Sequence, residues 1–437
     1  MKRLKSKFQS IERYRLRRLS GEGIWILIGQ IATVAASFVL VRVLTENLDP
    51  EQYGQLGLGL TIASLMNQVV IGGIIAGVGR FYSIAAEKQD LGGYLHATRS
   101  LLRYAATAIA GLGLILMAIL YWLGYLQWMG LAAAAIIFSI LSGFNSALSG
   151  IQNAARQRAV VAWNSGLDGW LKILLALGVM FWLGHSSTAV VIGYALSTLL
   201  VTGSQFIFLR RLIKNPSKIV DADNQWLQQI CIYSWPMAAG GLFNWGYYAS
   251  QRWALELFTS TGDVGHFYAL TQIAYTPIIV AAGMLMSLLT PILYARAGAA
   301  TDDDRLRTTH RVVICVALFG FGFTLLLAGL SFFMHEPIVR WLVASDYRQM
   351  SIYVPYFILA AGVLSVSQAL SLILTIENDT IRILPLAIIG NGSTAALNFY
   401  LTYQWGMKGL IAAMVIGALI HLTWMLKLVF KNIDRIK

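Results

Sequence analysis

Charged residues are scarce in this chain, and their scarcity excludes most soluble folds. Only 12% of the 437 residues are Asp, Glu, Lys or Arg, while 57% are hydrophobic. A soluble globular domain carries about 25% charged residues. Cysteine is also rare, because Cys231 and Cys315 are the only two, so no disulfide framework is predicted. The composition indicates a protein whose solvent is lipid.

Several features of enzymes are missing as well. No Gly-x-x-x-x-Gly-Lys-Ser/Thr loop occurs, so ATP hydrolysis by this chain is not expected. The six histidines have no metal-ligand spacing. No connection between apolar segments is long enough to form a soluble domain. We therefore predict that the chain is not an enzyme and has no catalytic residue, metal or cofactor.

Long apolar runs dominate the sequence instead. A membrane-spanning helix needs about 20 mostly apolar residues. Twelve segments meet this requirement: 22–44, 53–79, 102–124, 129–151, 163–183, 188–209, 230–250, 264–294, 312–334, 352–376, 383–403 and 407–429. The runs are continuous, whereas barrel strands alternate over segments of about 10 residues. The sequence predicts an all-α membrane protein with twelve transmembrane helices.

Positive charge is unevenly distributed between the loops. The formal net charge is +13. If the basic arm 1–21 is cytoplasmic, most Lys and Arg residues lie on the cytoplasmic side, in this arm, in alternate loops and in the tail 431–437. This bias predicts that both termini face the cytoplasm. Because the charge follows the loops, we expect the lipid bilayer as the partner and no nucleic acid.

The chain repeats itself at an offset of about 210 residues. Residues 42–117 begin with an arginine and an acidic turn, followed by Tyr53-Gly54, a Gly-rich span and a basic loop. Residues 252–325 show the same order, with Val264-Gly265 after the acidic turn. Six spans separate the copies, so both copies have the same orientation in the membrane.

Parallel repeats predict two six-helix bundles around a central cavity. The bundles are expected at 22–209 and 230–430, joined by a cytoplasmic linker at 210–229. Substrate would bind between the bundles, and access would alternate by rocking of one bundle against the other. Transport would be secondary, driven by an ion gradient or by the substrate gradient.

Three arginines are candidates for an anion site, because a guanidinium pairs bidentately with phosphate. Arg42 lies near the outer end of the first span, and Arg252 has the equivalent place in the repeat. Arg42 could also snorkel to the outer headgroups. Arg80 ends the second span on the inner side, where it either meets a substrate headgroup or serves only as a positive-inside residue.

Other charges inside the spans are few. Asp168 and Lys172 are four residues apart and share a helical face, so they form a mutual ion pair or place a cavity charge whose partner is exchanged during transport. Lys172 is therefore grouped with Arg42, Arg80 and Arg252 as a candidate substrate-binding residue of a cationic central cavity. Glu256 follows Arg252 by four residues and either carries a coupling proton or pairs with Arg252.

The seventh span is aromatic in its outer half. Trp245, Tyr247 and Tyr248 could stack on sugars, or they could form the aromatic belt of a membrane interface. Amides also occur in the spans, and they more often join helices than bind ligand. The polar amides are Asn67, Gln68, Asn145, Asn244, Gln272, Gln368, Asn391 and Asn398.

One stretch carries a family resemblance. The run LVRVLTENLDPEQYGQLGLGLTIASLMNQVVIGGIIAGVGRF resembles the first two spans of polysaccharide flippases of the O-antigen type, within the multidrug/oligosaccharidyl-lipid/polysaccharide exporter superfamily. Its recurring pieces are LVRVL around Arg42, DPEQYG at 49–54, and the Gly-rich run that ends at Arg80. The span that contains Pro236 and ends in Arg252 is also similar.

The resemblance implies a substrate and a pathway. The substrate would be an oligosaccharide unit on a polyprenyl pyrophosphate, moved from the inner to the outer leaflet of the bacterial inner membrane for O-antigen or related polysaccharide export. Arg42, Arg80 and Arg252 would meet the pyrophosphate. The polysaccharide polymerase machinery would be a partner.

Two alternatives stay open. One is a cation-coupled multidrug antiporter of the same superfamily. Such antiporters usually carry an acid in the first span, and this chain has none between Gly23 and Leu44. The other is a polymerase-type membrane enzyme, which would carry a large outer loop. One departure from the flippase pattern is Gln251, which stands where relatives often have Asp.

Overall fold

The fold is seen in a computed structural model, which describes residues 25, 27–212, 224–297, 303–377 and 380–436. Within these ranges, all regular secondary structure is helical. Apolar spans become helices because a backbone in lipid must satisfy its own hydrogen bonds within the segment. The prediction of an all-α membrane protein is confirmed.

The helices follow one another through short connections. In chain order they are α1 (Leu27–Asn47), α2 (Pro50–Leu65), π1 (Met66–Ile71), α3 (Gly72–Glu87), α4 (Leu91–Trp122), α5 (Leu126–Ala154), α6 (Arg158–Leu183), α7 (Ser187–Leu212), α8 (Asn224–Phe258), α9 (Thr261–Leu270), π2 (Thr271–Tyr275), α10 (Thr276–Ala297), α11 (Asp303–Leu342), a 3-10 helix (Ser345–Tyr353), α12 (Val354–Ile376), a 3-10 turn (Thr380–Ile383), π3 (Leu386–Gly390) and α13 (Asn391–Ile436). The predicted arm 1–21 and residues 213–223 of the predicted linker lie outside the described residues. The division into two bundles stays a prediction.

Ten of the described helices are long and apolar enough to cross a membrane, whereas the sequence predicts twelve spans. The exact count is therefore not confirmed, and the difference has two sources. The predicted span 230–250 lies in α8, a helix of 35 residues that is not among the ten. The predicted spans 383–403 and 407–429 lie in one of the ten, Leu386–Lys431.

That last element is a hairpin of two helices. Gly406 has φ 56° and ψ −135°, which are not helical values. A Cβ atom on Gly417 would lie 2.3 Å from Thr394 Cγ2, although 23 residues of straight helix would separate the two residues by about 35 Å. The chain therefore reverses at Gly406, where a positive φ favours glycine.

The two copies of the repeat fold alike. Asp49 caps α2 by accepting a hydrogen bond from Gln52 N at 2.7 Å, and Ser260 caps α9 by accepting one from Asp263 N at 3.1 Å. Each of these helices is followed by a π-helix, π1 or π2, and then by a second α-helix. The similarity predicted from the sequence order therefore extends to the caps and to the helix irregularities.

Helices α2 and α9 cross each other at a reciprocal pair of glycines. A Cβ atom on Gly54 would lie 1.9 Å from the carbonyl oxygen of Thr261, and one on Gly265 would lie 1.9 Å from that of Pro50. Gly54 and Gly265 are equivalent in the repeat, and so are Pro50 and Thr261. Such mutual contact is the pattern produced by a two-fold axis. The two copies therefore meet backbone to backbone at this crossing.

The main hydrophobic core surrounds the glycine crossing. It joins buried side chains of α2, α7, α9 and α12, among them Tyr53, Val190, Phe267 and Phe357. The crossing lies at the end of the helices that holds the turn at Leu48, and we call this end the turn end. The core therefore closes the contact between the two halves of the chain at the turn end.

Candidate functional site

A cavity in the first half of the chain is lined by α2, π1, α3 and α5. Its volume is about 420 Å³. Its lining is Leu60, Ala63, Ser64, Asn67, Gln68, Gly72, Ile75, Phe138, Ser142 and Ser146. Asn67 Nδ2 donates a hydrogen bond to Ser142 Oγ at 2.8 Å, which fixes the amide across the cavity wall. We call this space the first cavity.

A smaller cavity of about 160 Å³ lies among the helices of the second half. Its lining is Asn244, Tyr247, Tyr248, Leu364, Ser367, Gln368, Ser371, Ile383, Leu386, Ala387, Asn391, His421 and Met425. Most of these side chains are polar. None of the described residues that line either cavity is Asp, Glu, Lys or Arg. We call this space the second cavity.

A hydrogen bond between the halves links the two cavities. Asn244 Nδ2, in the lining of the second cavity, donates to Gln68 Oε1, in the lining of the first, at 3.0 Å. Gly241 lets α8 approach so closely that a Cβ atom there would lie 2.7 Å from Gln68 O. The two cavities therefore lie on either side of one contact between α8 and π1.

Two of the three π-helices supply parts of these linings. π1 contributes Asn67 and Gln68 to the first cavity, and π3 contributes Leu386 and Ala387 to the second. A π-helix inserts an extra residue into a turn, and such segments are frequent at functional sites. Two of the three described π-helices therefore coincide with the cavity walls.

Arg252 lies at the glycine crossing rather than in the lining of either cavity. Its Nη1 donates to Gly57 O at 2.8 Å, and its guanidinium lies 4.5 Å from the ring centre of Tyr268. Tyr53 contacts Tyr268 at 5.1 Å and Tyr347 at 5.7 Å between ring centres. The guanidinium thus joins α8 to both crossing helices through a carbonyl and an aromatic face.

Arg42 joins α1 to the end of α11. Its Nη1 donates to Val343 O at 2.6 Å and to Arg340 O at 3.2 Å, and its Nη2 pairs with Glu46 at 2.5 Å. The last carbonyls of a helix lack intrahelical partners and attract a cation. Arg42 is therefore bound by protein groups at the turn end in this conformation. We call Arg42, Tyr53, Arg252, Tyr268 and Tyr347 the turn-end seal.

Of the three predicted arginines, Arg80 has an exposed side chain. It lies at the end of the helices opposite the turn end. It lies on α3 two turns beyond Gly72, which lines the first cavity, or about 12 Å along the helix axis. A Cβ atom on the neighbouring Gly79 would have nothing within 4 Å, so this part of α3 borders open space. Arg80 is therefore an exposed cation on the same helix as Gly72 and Ile75 of the lining, beyond the first cavity.

Asp168 and Lys172 form the predicted ion pair. Lys172 Nζ lies 2.5 Å from Asp168 Oδ2, and Asp168 Oδ1 accepts a hydrogen bond from Ser197 at 3.0 Å. The ammonium also lies 5.6 Å from the ring centre of Phe138 and 5.9 Å from that of Tyr194. Because Phe138 lines the first cavity, the pair lies directly behind the cavity wall.

Replacing Asp168 by Asn is expected to lower the free energy of unfolding by about 3 kcal/mol, because it leaves a mostly buried ammonium without its anion. The double variant Asp168→Asn/Lys172→Met should recover much of this loss. The thermal denaturation midpoint in detergent measures both effects. An unchanged midpoint in the single variant would show that the pair contributes little.

Two of the remaining predicted residues form contacts between helices, and two line the second cavity. Glu256 Oε1 accepts a hydrogen bond from Thr261 at 3.0 Å, at the corner between α8 and α9. Trp245 Nε1 donates to Thr61 O at 2.9 Å, so its indole fixes α8 to α2. Tyr247 and Tyr248 line the second cavity. Their interpretation as sugar-stacking groups stays a prediction.

The sequence interpretation does not single out the amide and imidazole groups that face the cavities. Asn67, Gln68, Asn244 and Asn391 are treated there as ordinary helix-joining amides, and His421 is not considered. The available signal is that amides occur in equivalent spans of the two copies: Asn67 and Gln68 in the second span, Gln272 in the eighth, and Asn244 in the seventh. Such groups are lining residues and helix-joining residues at once.

Known proteins resemble the chain in both sequence and fold. The family described as "Polysaccharide biosynthesis protein" matches residues 21–295. The lipid II flippase MurJ, in an inward closed conformation, has a TM-score of 0.68 at 12% identity, covering 95% of this chain and 89% of that one. An inward-facing multidrug resistance MATE transporter of the MOP superfamily has a TM-score of 0.67 at 14% identity, with coverage of 94% and 98%. The Vibrio cholerae MATE transporter VcmN has a TM-score of 0.59 at 16% identity, with coverage of 96% and 97%. No curated protein gives a sequence match.

Proposed function

The chain belongs to the polysaccharide biosynthesis protein family, and from this premise we propose that it moves an oligosaccharide linked to polyprenyl pyrophosphate across a membrane. It is a multi-pass membrane protein with the fold of the MOP-superfamily transporters and flippases. The finer points of the proposal are the substrate, its transfer from the inner to the outer leaflet, and its use for O-antigen or a related surface polysaccharide.

The observation that carries this proposal is the chemistry of the first cavity. Its polar lining consists of three serine hydroxyls and two carboxamides, with the phenyl ring of Phe138 among the apolar groups. Hydroxyls and carboxamides both donate and accept hydrogen bonds, as the hydroxyl groups of a glycan require. A cationic drug would instead favour a carboxylate, and the described lining of neither cavity contains one.

The pyrophosphate needs a cation near the glycan cavity, and Arg80 has the suitable place. We place Arg80 at the mouth of the first cavity, because its side chain is exposed and it lies about 12 Å along α3 from Gly72 of the lining. A glycan in the cavity would then hold its pyrophosphate at the level of α3 where Arg80 lies. The carrier chain would stay in lipid outside the helices. Lys172 lies behind the wall and would tune the cavity through Phe138 without contacting the anion.

Alternating access would open the turn-end seal. In the present conformation, the guanidinium groups of Arg42 and Arg252 donate to backbone carbonyls. Separation of α1 from α11, and of α2 from α8 and α9, would free these donors at the opposite end of the path, where they would receive the pyrophosphate. The proposed site is the bacterial inner membrane with both termini cytoplasmic, and the polymerase that consumes the product is the proposed partner.

The test is translocation by the purified protein in proteoliposomes. A fluorescent oligosaccharide on polyprenyl pyrophosphate is placed in both leaflets, and a membrane-impermeant quencher reports how fast the protected fraction becomes accessible. We expect protein-dependent exchange of the glycolipid and no exchange of a fluorescent phospholipid. In the host, deletion of the gene should accumulate the glycolipid facing the cytoplasm and abolish the surface polymer. Normal polymer combined with lost drug resistance would favour the antiporter instead.

A further inference from the structure

The second cavity has the size of a single sugar ring. Its volume is about 160 Å³, and a water molecule occupies about 30 Å³ of the liquid. The cavity is therefore larger than a site for one water or one ion and smaller than a site for an oligosaccharide. Asn244 of its lining is hydrogen bonded to Gln68 of the lining of the first cavity.

Its polar groups suit an uncharged ligand that both donates and accepts hydrogen bonds. His421 is 8% exposed, and its Nε2 atom is buried without a hydrogen-bond partner among the described residues. Asn391 is 9% exposed and lines the same cavity, as does the amide of Gln368. A buried polar atom of this kind requires a partner, and a ligand hydroxyl can supply either a donor or an acceptor.

Two tyrosines give the cavity an aromatic wall. The rings of Tyr247 and Tyr248 lie 4.8 Å apart in an edge-to-face arrangement, and the ring of Tyr247 lies 6.1 Å from that of His421. An aromatic wall beside amides and hydroxyls fits a pyranose, which has apolar C–H faces and a polar rim. A metal ion is a poorer occupant because the described lining contains no carboxylate. An acyl chain is poorer because it offers no hydrogen bond to the buried Nε2 atom of His421.

We propose that the second cavity binds one uncharged pyranose ring of the translocated oligosaccharide. The proposal rests on the proposed function and assigns to the second half of the chain the recognition of sugar identity. The first cavity then accommodates the neighbouring part of the glycan. The hydrogen bond between Asn244 and Gln68 lies where the glycan would pass from one cavity to the other.

The test is direct binding of simple sugars to the full chain in lipid nanodiscs. The probes are methyl pyranosides of glucose, galactose, mannose and N-acetylglucosamine, followed by saturation-transfer NMR. We expect at least one to bind, and to bind about tenfold more weakly to Tyr248→Leu and to His421→Gln, since each variant removes contacts from the lining. Tyr400→Leu is the matched control, because Tyr400 is 61% exposed on α13 and lines neither cavity.

The possible outcomes separate this proposal from the proposed function. Pyranoside binding that the cavity variants weaken, without glycolipid exchange in proteoliposomes, would keep the sugar site and reject the flippase. Glycolipid exchange without pyranoside binding, or with binding unchanged in both cavity variants, would reject the sugar site and keep the flippase. If either variant fails to fold, Ser371→Ala removes a single hydroxyl of the lining and serves in its place.

Discussion

Replacing Gly54 or Gly265 by alanine is expected to reduce glycolipid translocation by about ten- to hundredfold while the protein still inserts in the membrane. Each new Cβ atom would lie 1.9 Å from a backbone oxygen of the facing helix. A carbonyl cannot rotate away as a side chain can, so α2 and α9 must separate. Overpacking of this kind costs about 1–3 kcal/mol, and here the cost falls on the conformation in which the turn end is closed.

The reciprocal geometry makes the prediction stricter. Because the two glycines are equivalent in the repeat, the two variants should have similar effects. Gly203→Ala and Gly329→Ala are matched controls, since both lie within helices where a Cβ atom meets nothing within 4 Å. Translocation at the normal rate in either crossing variant would contradict the prediction.

A second measurement tests whether the turn-end seal is closed and does not require a transport assay. In a background in which Cys231 and Cys315 are replaced by serine, a cysteine is introduced by Leu48→Cys, at a position that is 4% exposed in the closed seal. A membrane-impermeant thiol reagent should label it faster when Gly54→Ala is also present. Equal labelling rates would show that the crossing does not control access at the turn end.

The sequence predicts the helices and the repeat well because both follow from local rules. Long apolar runs force helix formation in lipid, and the caps at Asp49 and Ser260 are set by residues within one turn. The reversal at Gly406 is likewise foreseen as the boundary between the predicted spans 383–403 and 407–429. These features need no knowledge of what lies across the bundle.

Side-chain partners are harder to foresee, since several partners satisfy the same group. A guanidinium near the membrane needs an acceptor, and phosphate, a carboxylate or a helix carbonyl would each serve. Only the placement of α11 beside α1 provides the carbonyls of Arg340 and Val343 to Arg42. The sequence therefore predicts that Arg42 has a polar partner but cannot identify it.

The position of Asn67 and Gln68 in the cavity lining is hard to predict for a different reason. A π-helix adds a residue to one turn and rotates every side chain that follows, so a helical wheel drawn through 66–71 places the later residues on the wrong face. Asn67 and Gln68 lie within this irregular turn. Their position in the lining follows from the tertiary structure around π1 and not from regular helix periodicity.

Replacing Arg80 by Gln is expected to lower the translocation rate at limiting substrate by about thirtyfold. The estimate corresponds to the loss of one charge-assisted contact with a phosphate, about 2 kcal/mol. Because the contact would hold the substrate in the inward conformation, the loss should raise the apparent KM more than it lowers the maximal rate. Arg80→Lys keeps the charge and loses the planar fork. Its apparent KM should therefore lie between that of the unchanged protein and that of Arg80→Gln.

The control for Arg80 must separate a local contact from the general positive charge of the surface. Arg103→Gln removes the same charge from an exposed position on α4, a helix that contributes no residue to the described lining of the first cavity. It should leave the KM nearly unchanged, since it removes an exposed surface charge and no proposed contact with the pyrophosphate. Equal effects of the two substitutions would mean that the glycolipid senses only the overall surface potential. A specific loss in Arg80→Gln, with the largest difference at low salt and a persistent one at high salt, would instead assign the pyrophosphate to the mouth of the first cavity.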